Sequence, residues 1–372
     1  MSDKSNNIDK PLYVTSPLMP DFREFCDAVR PLWDTRILTN NGHYVKTFEK
    51  ALGEYLGERY VSVYGNGTLP ILAACHALGL KGEVITTPYT FIATSHALTW
   101  CGLKPVYIDV DNQTGNMDPT KIEAAITERT CAILPVHVYG RPCDTEAISA
   151  IGRKHNLPVV YDAAHAFGVR RNGRSITADG DVVTLSFHAT KVFNSIEGGA
   201  VICRDAATKN LIDRLRNFGF ESETEISAVG INAKLDEMRA IFGLLNLRKV
   251  DDAINRRKVI AEAYQNALGG IGDISLPEVP KGIRYNYSHY PILLKDKRHR
   301  DAVYHALRRS NIFPRRYFYP LVTDFAPYDT ASGADCTPIA CDMSDRVLCL
   351  PLHTAMTSDD VARISNIVAS VK

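Results

Sequence analysis

The chain carries the stretch Ser186-Phe187-His188-Ala189-Thr190-Lys191 directly after an apolar, strand-like run. A second apolar run, at residues 157–161, ends immediately before Asp162. In α/β proteins, ligands bind outside the carboxyl ends of the parallel strands. The two runs therefore predict that an amine and a carboxylate meet at one edge of a sheet.

Short runs rich in β-branched and aromatic residues alternate with helix-like stretches between residues 60 and 203. This alternation predicts a mainly parallel sheet covered by helices, which forms one large α/β domain. Seven strands are predicted, at residues 60–64, 83–86, 106–109, 132–136, 159–161, 182–185 and 200–202.

The last third of the chain predicts a second, smaller domain. Residues 235–268 carry apolar side chains at helical spacing and contain no proline, which predicts a helix that leaves the large domain. A strand at 287–294 and helices at 300–309 and 357–371 follow, so the small domain is α+β. The domains are predicted at residues 1–245, with an N-terminal arm, and 246–372.

Composition and charge exclude several classes of protein. Lys and Arg total 43 against 42 Asp and Glu, so the formal net charge is +1, and nothing suggests nucleic-acid binding. The start of the chain lacks the apolar core of a signal peptide, and no run of roughly 18 apolar residues occurs, so we expect a cytoplasmic protein without membrane contact. Nine cysteines without a C-x-x-C pair predict reduced thiols, with neither a disulfide framework nor a metal site.

Lys191 and Asp162 are the two groups that the cofactor pyridoxal phosphate requires. It needs a lysine amine for its resting Schiff base and a carboxylate that keeps its pyridine nitrogen protonated. Taken singly, most lysines are solvated, and an aspartate in such a position is as often a helix cap. The pairing of the two residues favours a pyridoxal phosphate site.

The turn Gly65-Asn66-Gly67-Thr68 lies between a predicted strand and a helix-like run, where backbone N–H groups can hold a phosphate. Pro70 stands where a dinucleotide fingerprint has its third glycine, and no G-x-x-x-x-G-K-[ST] motif occurs. Both observations disfavour nicotinamide cofactors and nucleoside triphosphates. Phe91, after the next strand, is a candidate for stacking on a planar ring, although core packing explains an aromatic there equally well.

Together these segments resemble the pyridoxal-phosphate-dependent sugar aminotransferases of the DegT/DnrJ/EryC1/StrS family. The likeness covers residues 38–42, 48–49, 65–68, 88–94, 162–168, 186–199, 230–232 and 350–353. It implies fold type I, that of the aspartate aminotransferase superfamily, and transfer of an amine to a keto group on a nucleotide-linked sugar. Dehydratase relatives replace the cofactor lysine with histidine, whereas this chain keeps Lys191.

The resemblance also implies roles for individual residues. Lys191 would carry the Schiff base, and Asp162 would pair with the pyridinium nitrogen. The remaining implied cofactor contacts are Phe91 on the ring, His165 near the ring hydroxyl, and Gly67, Thr68 and Ser186 on the phosphate. Asn232 would reach the phosphate of the neighbouring subunit's cofactor, so a homodimer with shared active sites is expected. The family commonly follows this asparagine with an aromatic residue and an arginine, but Ala233 and Lys234 follow here.

The likeness of residues 186–191 favours the family branch that aminates C4 of 4-keto-6-deoxy sugars. The implied reaction converts dTDP-4-keto-6-deoxyglucose to dTDP-4-amino-4,6-dideoxyglucose with L-glutamate as amino donor. His188, Arg316 and Tyr317 are candidate substrate contacts, although a solvated surface explains the basic and aromatic cluster at 315–319 equally well.

Three alternatives stay open at this point. The first is amination at C3 or of a UDP- or GDP-linked sugar. The second is a pyridoxal-phosphate-dependent sugar dehydratase or lyase, which would not consume glutamate. The third is a non-catalytic regulator on the same fold, which the presence of both Lys191 and Asp162 disfavours.

Overall fold

The computed structural model describes residues 10–328 and 337–371. Its strands are β1 (Leu12–Tyr13), β2 (Tyr60–Tyr64), β3 (Glu83–Thr86), β4 (Lys104–Tyr107), β5 (Thr130–Ile133), β6 (Val160–Asp162), β7 (Arg170–Arg171), β8 (Arg174–Ser175), β9 (Val182–Ser186), β10 (Gly199–Cys203), β11 (Ile274–Ser275), β12 (Ile283–Arg284), β13 (Tyr290–Leu294), β14 (Ile312–Phe313) and β15 (Val347–Leu350). Its α-helices are α1 (Phe22–Val29), α2 (Pro31–Thr35), α3 (His43–Leu56), α4 (Thr68–Ala77), α5 (Ile92–Trp100), α6 (Ile122–Ala125), α7 (Thr145–His155), α8 (Ala206–Leu215), α9 (Glu237–Leu247), α10 (Val250–Leu268), α11 (Lys297–Arg309), α12 (Pro338–Arg346) and α13 (Ser358–Ser370). Within these two ranges, no helix is long and apolar enough to cross a membrane.

The central sheet has seven strands in the order β2-β10-β9-β6-β5-β3-β4. Parallel bridges from Ile133 to Val159 and from Val136 to Asp162 join its two halves between β5 and β6. Only β10 runs antiparallel to its neighbours, β2 and β9, and the other neighbouring pairs are parallel. The predicted seven-stranded, mainly parallel sheet is therefore confirmed.

The largest difference from the predicted strands is at β5, which ends at Ile133 rather than at residue 136. Pro135 has no N–H to donate to a ladder, although its carbonyl accepts from the Asp162 N–H at 2.9 Å. The run therefore continues only as the isolated bridge at Val136.

The long helix predicted at 235–268 is two helices, α9 and α10. Asp236 caps α9 by accepting a hydrogen bond from the Arg239 N–H at 2.9 Å. The break falls at residues 248–249, without proline or glycine, so the apolar spacing did not reveal it. Helix α9 packs on α3 beside the central sheet, and α10 leads away from it.

Helix α10 joins two hydrophobic cores. Val250 and Ile254 pack in the core of the central sheet, whereas Ile260 and Tyr264 pack in a separate core of the C-terminal part. That second core lies between α10, α11, α13 and the antiparallel sheet β11-β13-β15. The α+β character predicted for the C-terminal part agrees with this arrangement, and the domain boundary at 245/246 stays a prediction.

A cluster of buried phenylalanines lies behind the two segments that carry the predicted site. Phe167 stacks on Phe193 with ring centroids 4.2 Å apart, and Phe187 meets Phe193 edge-on at 5.0 Å. Aromatic pairs of this kind add about 0.5–1.5 kcal/mol each beyond the burial of their area. Because Phe187 and Phe193 flank Lys191 in sequence, their packing anchors both ends of the lysine loop.

Candidate active site

A cavity of about 530 Å³ opens beside the carboxyl ends of β6 and β9. Its volume falls within the range of small-molecule sites. It brings together most of the predicted site residues, namely Gly67, Thr68, Phe91, Asp162, His165, Ser186, His188, Lys191 and Tyr317. Two predicted residues, Asn232 and Arg316, do not line it.

Asp162 is the last residue of β6 and is only 6% exposed. Its Oδ2 accepts a hydrogen bond from the Thr94 hydroxyl at 2.8 Å, and its Oδ1 accepts from the Ala164 N–H at 3.0 Å. Burial raises the pKa of the carboxyl group above its usual value, against the opposing effects of these two donors and of Lys191. The carboxylate is therefore fixed in orientation and would gain from a cationic partner.

Lys191 lies in the loop between β9 and β10, and its N–H donates to the His188 carbonyl at 2.9 Å. Burial lowers the pKa of its amine from 10.5 to about 8, although the negative charge of Asp162 acts in the opposite direction. At pH 7 roughly one amine in ten is thus unprotonated and nucleophilic, far more than for a solvated lysine.

The turn before α4 and the end of β9 form a small polar pocket. Asn66 Oδ1 accepts from the N–H groups of Thr68 and Leu69 at 2.9 and 3.1 Å, so these two amides are engaged within the protein. A Cβ atom on Gly67 would lie 2.6 Å from the Ser186 side chain, so only glycine fits there. The hydroxyl-bearing residues Thr68 and Ser186 both line the cavity at this point.

Two histidines stand beside each other in the cavity wall. His165 Nδ1 accepts from the Tyr139 N–H at 3.3 Å, which leaves Nε2 to carry the proton. The His289 ring lies 4.7 Å from the His165 ring, and its Nδ1 is 3.0 Å from the Ser288 hydroxyl. Burial, reinforced by the charge of Lys191, holds the pKa of both imidazoles well below the usual value. Both histidines are therefore neutral at physiological pH.

His188 and Glu197 lie at opposite ends of the lysine loop and line the same cavity. His188 Nε2 is 3.4 Å from a Glu197 carboxylate oxygen, and His188 Nδ1 is 2.7 Å from the Thr190 hydroxyl. Because both side chains are nearly half exposed, the pair stands at the mouth of the cavity rather than at its base.

A second cavity of about 240 Å³ adjoins the first. The two share the five lining residues Thr90, Phe91, Arg315, Tyr317 and Phe318. Arg316 lines only the second cavity, where it pairs with Asp301 at 3.3 Å. The three candidate substrate contacts are thus divided between the two cavities. His188 lines the cavity that contains Lys191, Arg316 lines the adjoining cavity, and Tyr317 lines both.

Asn232 is exposed and does not line this chain's own cavity. Its Oδ1 accepts from Lys234 Nζ at 2.8 Å, and Lys234 also lies over the Phe218 ring at 4.6 Å. Apolar side chains are exposed along the same segment, Val229 at 92% and Ile226 at 62%. An exposed apolar patch of this kind commonly marks a protein–protein interface.

Residues 21–369 match the family model described as the DegT/DnrJ/EryC1/StrS aminotransferase family. The chain belongs to this family. The match includes the segments that carry Asp162, Lys191 and the turn at Gly67, so the predicted recognition is confirmed. The aminotransferase class and fold type I are confirmed with it.

Similar proteins extend this finding along nearly the full chain. The dTDP-4-amino-4,6-dideoxy-D-glucose transaminase of Shigella dysenteriae is 45% identical over 368 residues, which cover 98% of this chain and all of that protein. The crystal structure of DesI in the presence of its TDP-sugar product superposes with a TM-score of 0.92 at 35% identity, covering 97% of this chain and 93% of DesI. NtdA from Bacillus subtilis with bound cofactor PMP gives a TM-score of 0.86 at 28% identity, covering 93% and 81%.

Several lining residues of this aminotransferase were missed as site residues. Thr94 holds the Asp162 carboxylate although 68 positions separate them, and His289 immediately precedes β13. Thr94 lies within a segment that resembles the family, so that likeness was an available signal. No spacing or motif distinguished His289.

Proposed function

We propose that this chain transfers the amino group of L-glutamate to dTDP-4-keto-6-deoxyglucose, with pyridoxal phosphate as cofactor. The observation that carries the proposal is the placement of Lys191 and Asp162 on one cavity, with the carboxylate buried and held by Thr94. An amine with a lowered pKa beside an oriented carboxylate is the pair that this cofactor requires.

The residues that line the cavity fit pyridoxal phosphate. Asp162 is a buried carboxylate suited to a protonated ring nitrogen, and the neutral His165 retains an Nε2–H for an oxygen substituent on the ring. Gly67 and Ser186 approach each other closely at the edge of the cavity. The Ser186 and Thr68 hydroxyls there offer hydrogen-bond donors for a phosphate. Phe91, 58% exposed at the start of α5, is placed to cover a ring that enters the cavity.

When bound, pyridoxal phosphate supplies an electron sink that stabilises negative charge on the carbon bearing the amine. The protein supplies the acid–base chemistry. Lys191 Nζ would carry a proton between the substrate carbon and C4′ of the cofactor, away from the donor carbon in the first half-reaction and onto the sugar carbon in the second, a role that a pKa of about 8 suits. The Asp162 carboxylate would keep the ring nitrogen of the cofactor protonated. The positive charge on that nitrogen offsets the free-energy cost of burying the carboxylate.

The substrate follows from similarity rather than from a contact in the cavity. The Shigella dysenteriae relative is named for amination at C4 of a dTDP-linked 4,6-dideoxyglucose, and DesI was crystallised with a TDP-sugar product. The adjoining cavity gives room for the nucleotide beyond the sugar, and its aromatic and basic lining suits a nucleoside diphosphate.

Purified protein incubated with pyridoxal phosphate, ¹⁵N-glutamate and a panel of 3-keto and 4-keto sugars linked to dTDP, UDP or GDP tests this proposal. We expect ¹⁵N on C4 of the dTDP-linked 6-deoxy sugar, with one 2-oxoglutarate formed per amine transferred. Product formed without consumption of glutamate would identify a dehydratase or lyase and contradict the proposal.

The lowered pKa of Lys191 predicts a pH dependence. The neutral amine is the form that attacks the cofactor's aldehyde, so covalent capture should accelerate as the pH rises through about 8 and level off above it. Rapid mixing of cofactor-free protein with pyridoxal phosphate, followed by absorbance from pH 6 to 11, measures the midpoint. Lysine amide acetylated on its α-nitrogen, which keeps a free ε-amine, is the matched control, with a midpoint near pH 10.4. A protein midpoint near that of the control would contradict an effect of burial on Lys191.

We further propose a homodimer in which Asn232 completes the partner's site. Two observations support it: Asn232 lies outside its own chain's cavity, and its segment exposes apolar side chains. This arrangement predicts complementation between inactive variants. Lys191→Ala and Asn232→Asp homodimers are each expected to be nearly inactive at limiting cofactor, because the second variant repels the phosphate.

After subunit exchange between the two variants, half of the dimers are mixed, and each mixed dimer has one intact site. About a quarter of the wild-type sites, and of the activity per subunit, should therefore return. Mixing Lys191→Ala with wild-type protein in the same ratio controls for dilution. Activity no higher than the sum of the two separate variants, with exchange verified by mass-tagged subunits, would contradict sharing of the site.

A further inference from the structure

We propose that Arg315 is the anion-binding residue that the two substrates share, binding a carboxylate of the amino donor in one half-reaction and the diphosphate of the nucleotide sugar in the other. This inference rests on the proposed function. It assigns a specificity-determining role to a residue that stands next to the predicted substrate contact Arg316.

The backbone of Arg315 is held by the antiparallel sheet β11-β13-β15, while its side chain is exposed. Its N–H donates to the Cys349 carbonyl at 3.2 Å, and its carbonyl accepts from the Cys349 N–H at 2.7 Å. Cys349 is a fully buried residue of β15, so the Arg315 backbone is tied to a rigid element. From this position the residue lines both the Lys191 cavity and the adjoining one.

Arg315 and Arg316 differ in what their guanidinium groups contact. Arg316 pairs with Asp301 at 3.3 Å and lies over the rings of Tyr304 and Tyr319 at 4.6 and 5.0 Å. In the part of the chain that the structure describes, the Arg315 side chain has neither an acidic partner within 4.0 Å nor a side-chain hydrogen bond. Its charge is therefore available to a ligand.

The charges around Lys191 point to the same residue. Of the described residues that line this cavity, only Lys191 and Arg315 carry full positive charges, and Asp162 and Glu197 carry the negative ones. The Lys191 amine is the reacting group, so it is not free to hold a substrate anion. Arg315 is left as the permanent cation at the place where the two cavities meet.

Transamination through one lysine brings both substrates to the same cavity in turn, and both are anions. A guanidinium forms two parallel hydrogen bonds to a carboxylate as readily as to a phosphate, which a lysine ammonium does not. A single arginine at the junction can therefore hold the donor first and the nucleotide diphosphate afterwards. Two ligands that need the same arginine must also exclude each other.

The experiment compares wild type with Arg315→Gln, Arg315→Lys and the control Arg309→Gln, which removes an exposed guanidinium from α11 on the same part of the chain. Each half-reaction is followed separately, with glutamate on the pyridoxal form and with the nucleotide sugar on the pyridoxamine form. In addition, binding of dTDP is titrated with and without glutarate, which reports on the site without any turnover. Thermal unfolding verifies that each variant is folded.

We expect Arg315→Gln to raise the half-saturating concentration of both substrates by about tenfold or more, the effect of losing a hydrogen bond to a charged group. Arg315→Lys should recover part of that loss, and Arg309→Gln should match wild type. Glutarate should compete with dTDP in wild type and in Arg309→Gln, but not in Arg315→Gln. A change for the nucleotide sugar alone, or simultaneous binding of glutarate and dTDP, would show that the donor is held elsewhere. No change for either substrate would place the anion contacts on another residue or on the second subunit, and it would equally overturn the proposal.

Failure of the proposed function gives a different pattern. If wild-type protein reacts with glutamate but with no keto sugar, the proposed acceptor is wrong. The donor half-reaction and the dTDP titration then still test the role of Arg315.

Discussion

Replacing Lys191 by alanine is expected to lower the rate of amine transfer by roughly 10³-fold or more, because the variant loses both the covalent attachment point and the acid–base group. The cofactor should still bind non-covalently, since Asp162, His165 and the pocket at Gly67 and Ser186 are unchanged. Single-turnover kinetics of ¹⁵N transfer measure the loss, and dialysis measures the retained cofactor.

Lys258→Ala is the matched control for this variant. Lys258 is 53% exposed and its Nζ is 3.8 Å from Glu262, so its removal takes away one surface ammonium and a weak ion pair. Its activity and cofactor absorbance should equal those of wild type. A small primary amine added to Lys191→Ala should restore part of the activity, because it supplies a diffusible base. Undiminished transfer by Lys191→Ala without added amine would remove Lys191 from the mechanism.

Asp162→Asn is the second substitution with a large expected effect, a loss of roughly 10²-fold or more in transfer rate. The amide is nearly isosteric and can still accept from the Ala164 N–H, so the fold should persist. What it loses is the negative charge that stabilises a proton on a ring nitrogen. It also removes the charge that raises the Lys191 pKa, so the midpoint of covalent capture should fall below about 8.

Two further variants separate charge from structure at Asp162. Thr94→Val removes the hydroxyl that donates to Oδ2, which should raise the carboxyl pKa further and reduce activity only several-fold. Asp273→Asn changes an exposed carboxylate, 60% accessible and 4.0 Å from Lys295, and should have no effect. Wild-type activity in Asp162→Asn would mean that the carboxylate serves only the packing of the β6 end.

The central sheet was predictable because its strands are short, apolar and separated by turns, which fixes the place of residues at their carboxyl ends. The sequence alone could therefore pair Asp162 with Lys191 and place Gly67 at the start of a helix. The break between α9 and α10 could not be predicted, because apolar spacing continues across it.

The rest of the site depends on contacts between distant segments. Thr94 meets Asp162 only because α5 begins beside the end of β6, and His289 and Arg315 arrive from the C-terminal part. Arg315 and Arg316 are adjacent in sequence, so composition alone could not show that one is engaged by Asp301 and the other lines both cavities. Such differences follow from tertiary packing rather than from local pattern.

The central claim is that Lys191 is the amine that holds the cofactor. Wild-type protein mixed with pyridoxal phosphate, reduced with borohydride and digested should yield one peptide bearing the cofactor mass, at Lys191. The Asp162→Asn protein should give the same peptide with lower yield, and Lys191→Ala should give none. Cofactor mass on a different lysine of the wild-type chain, or on none, would contradict the account.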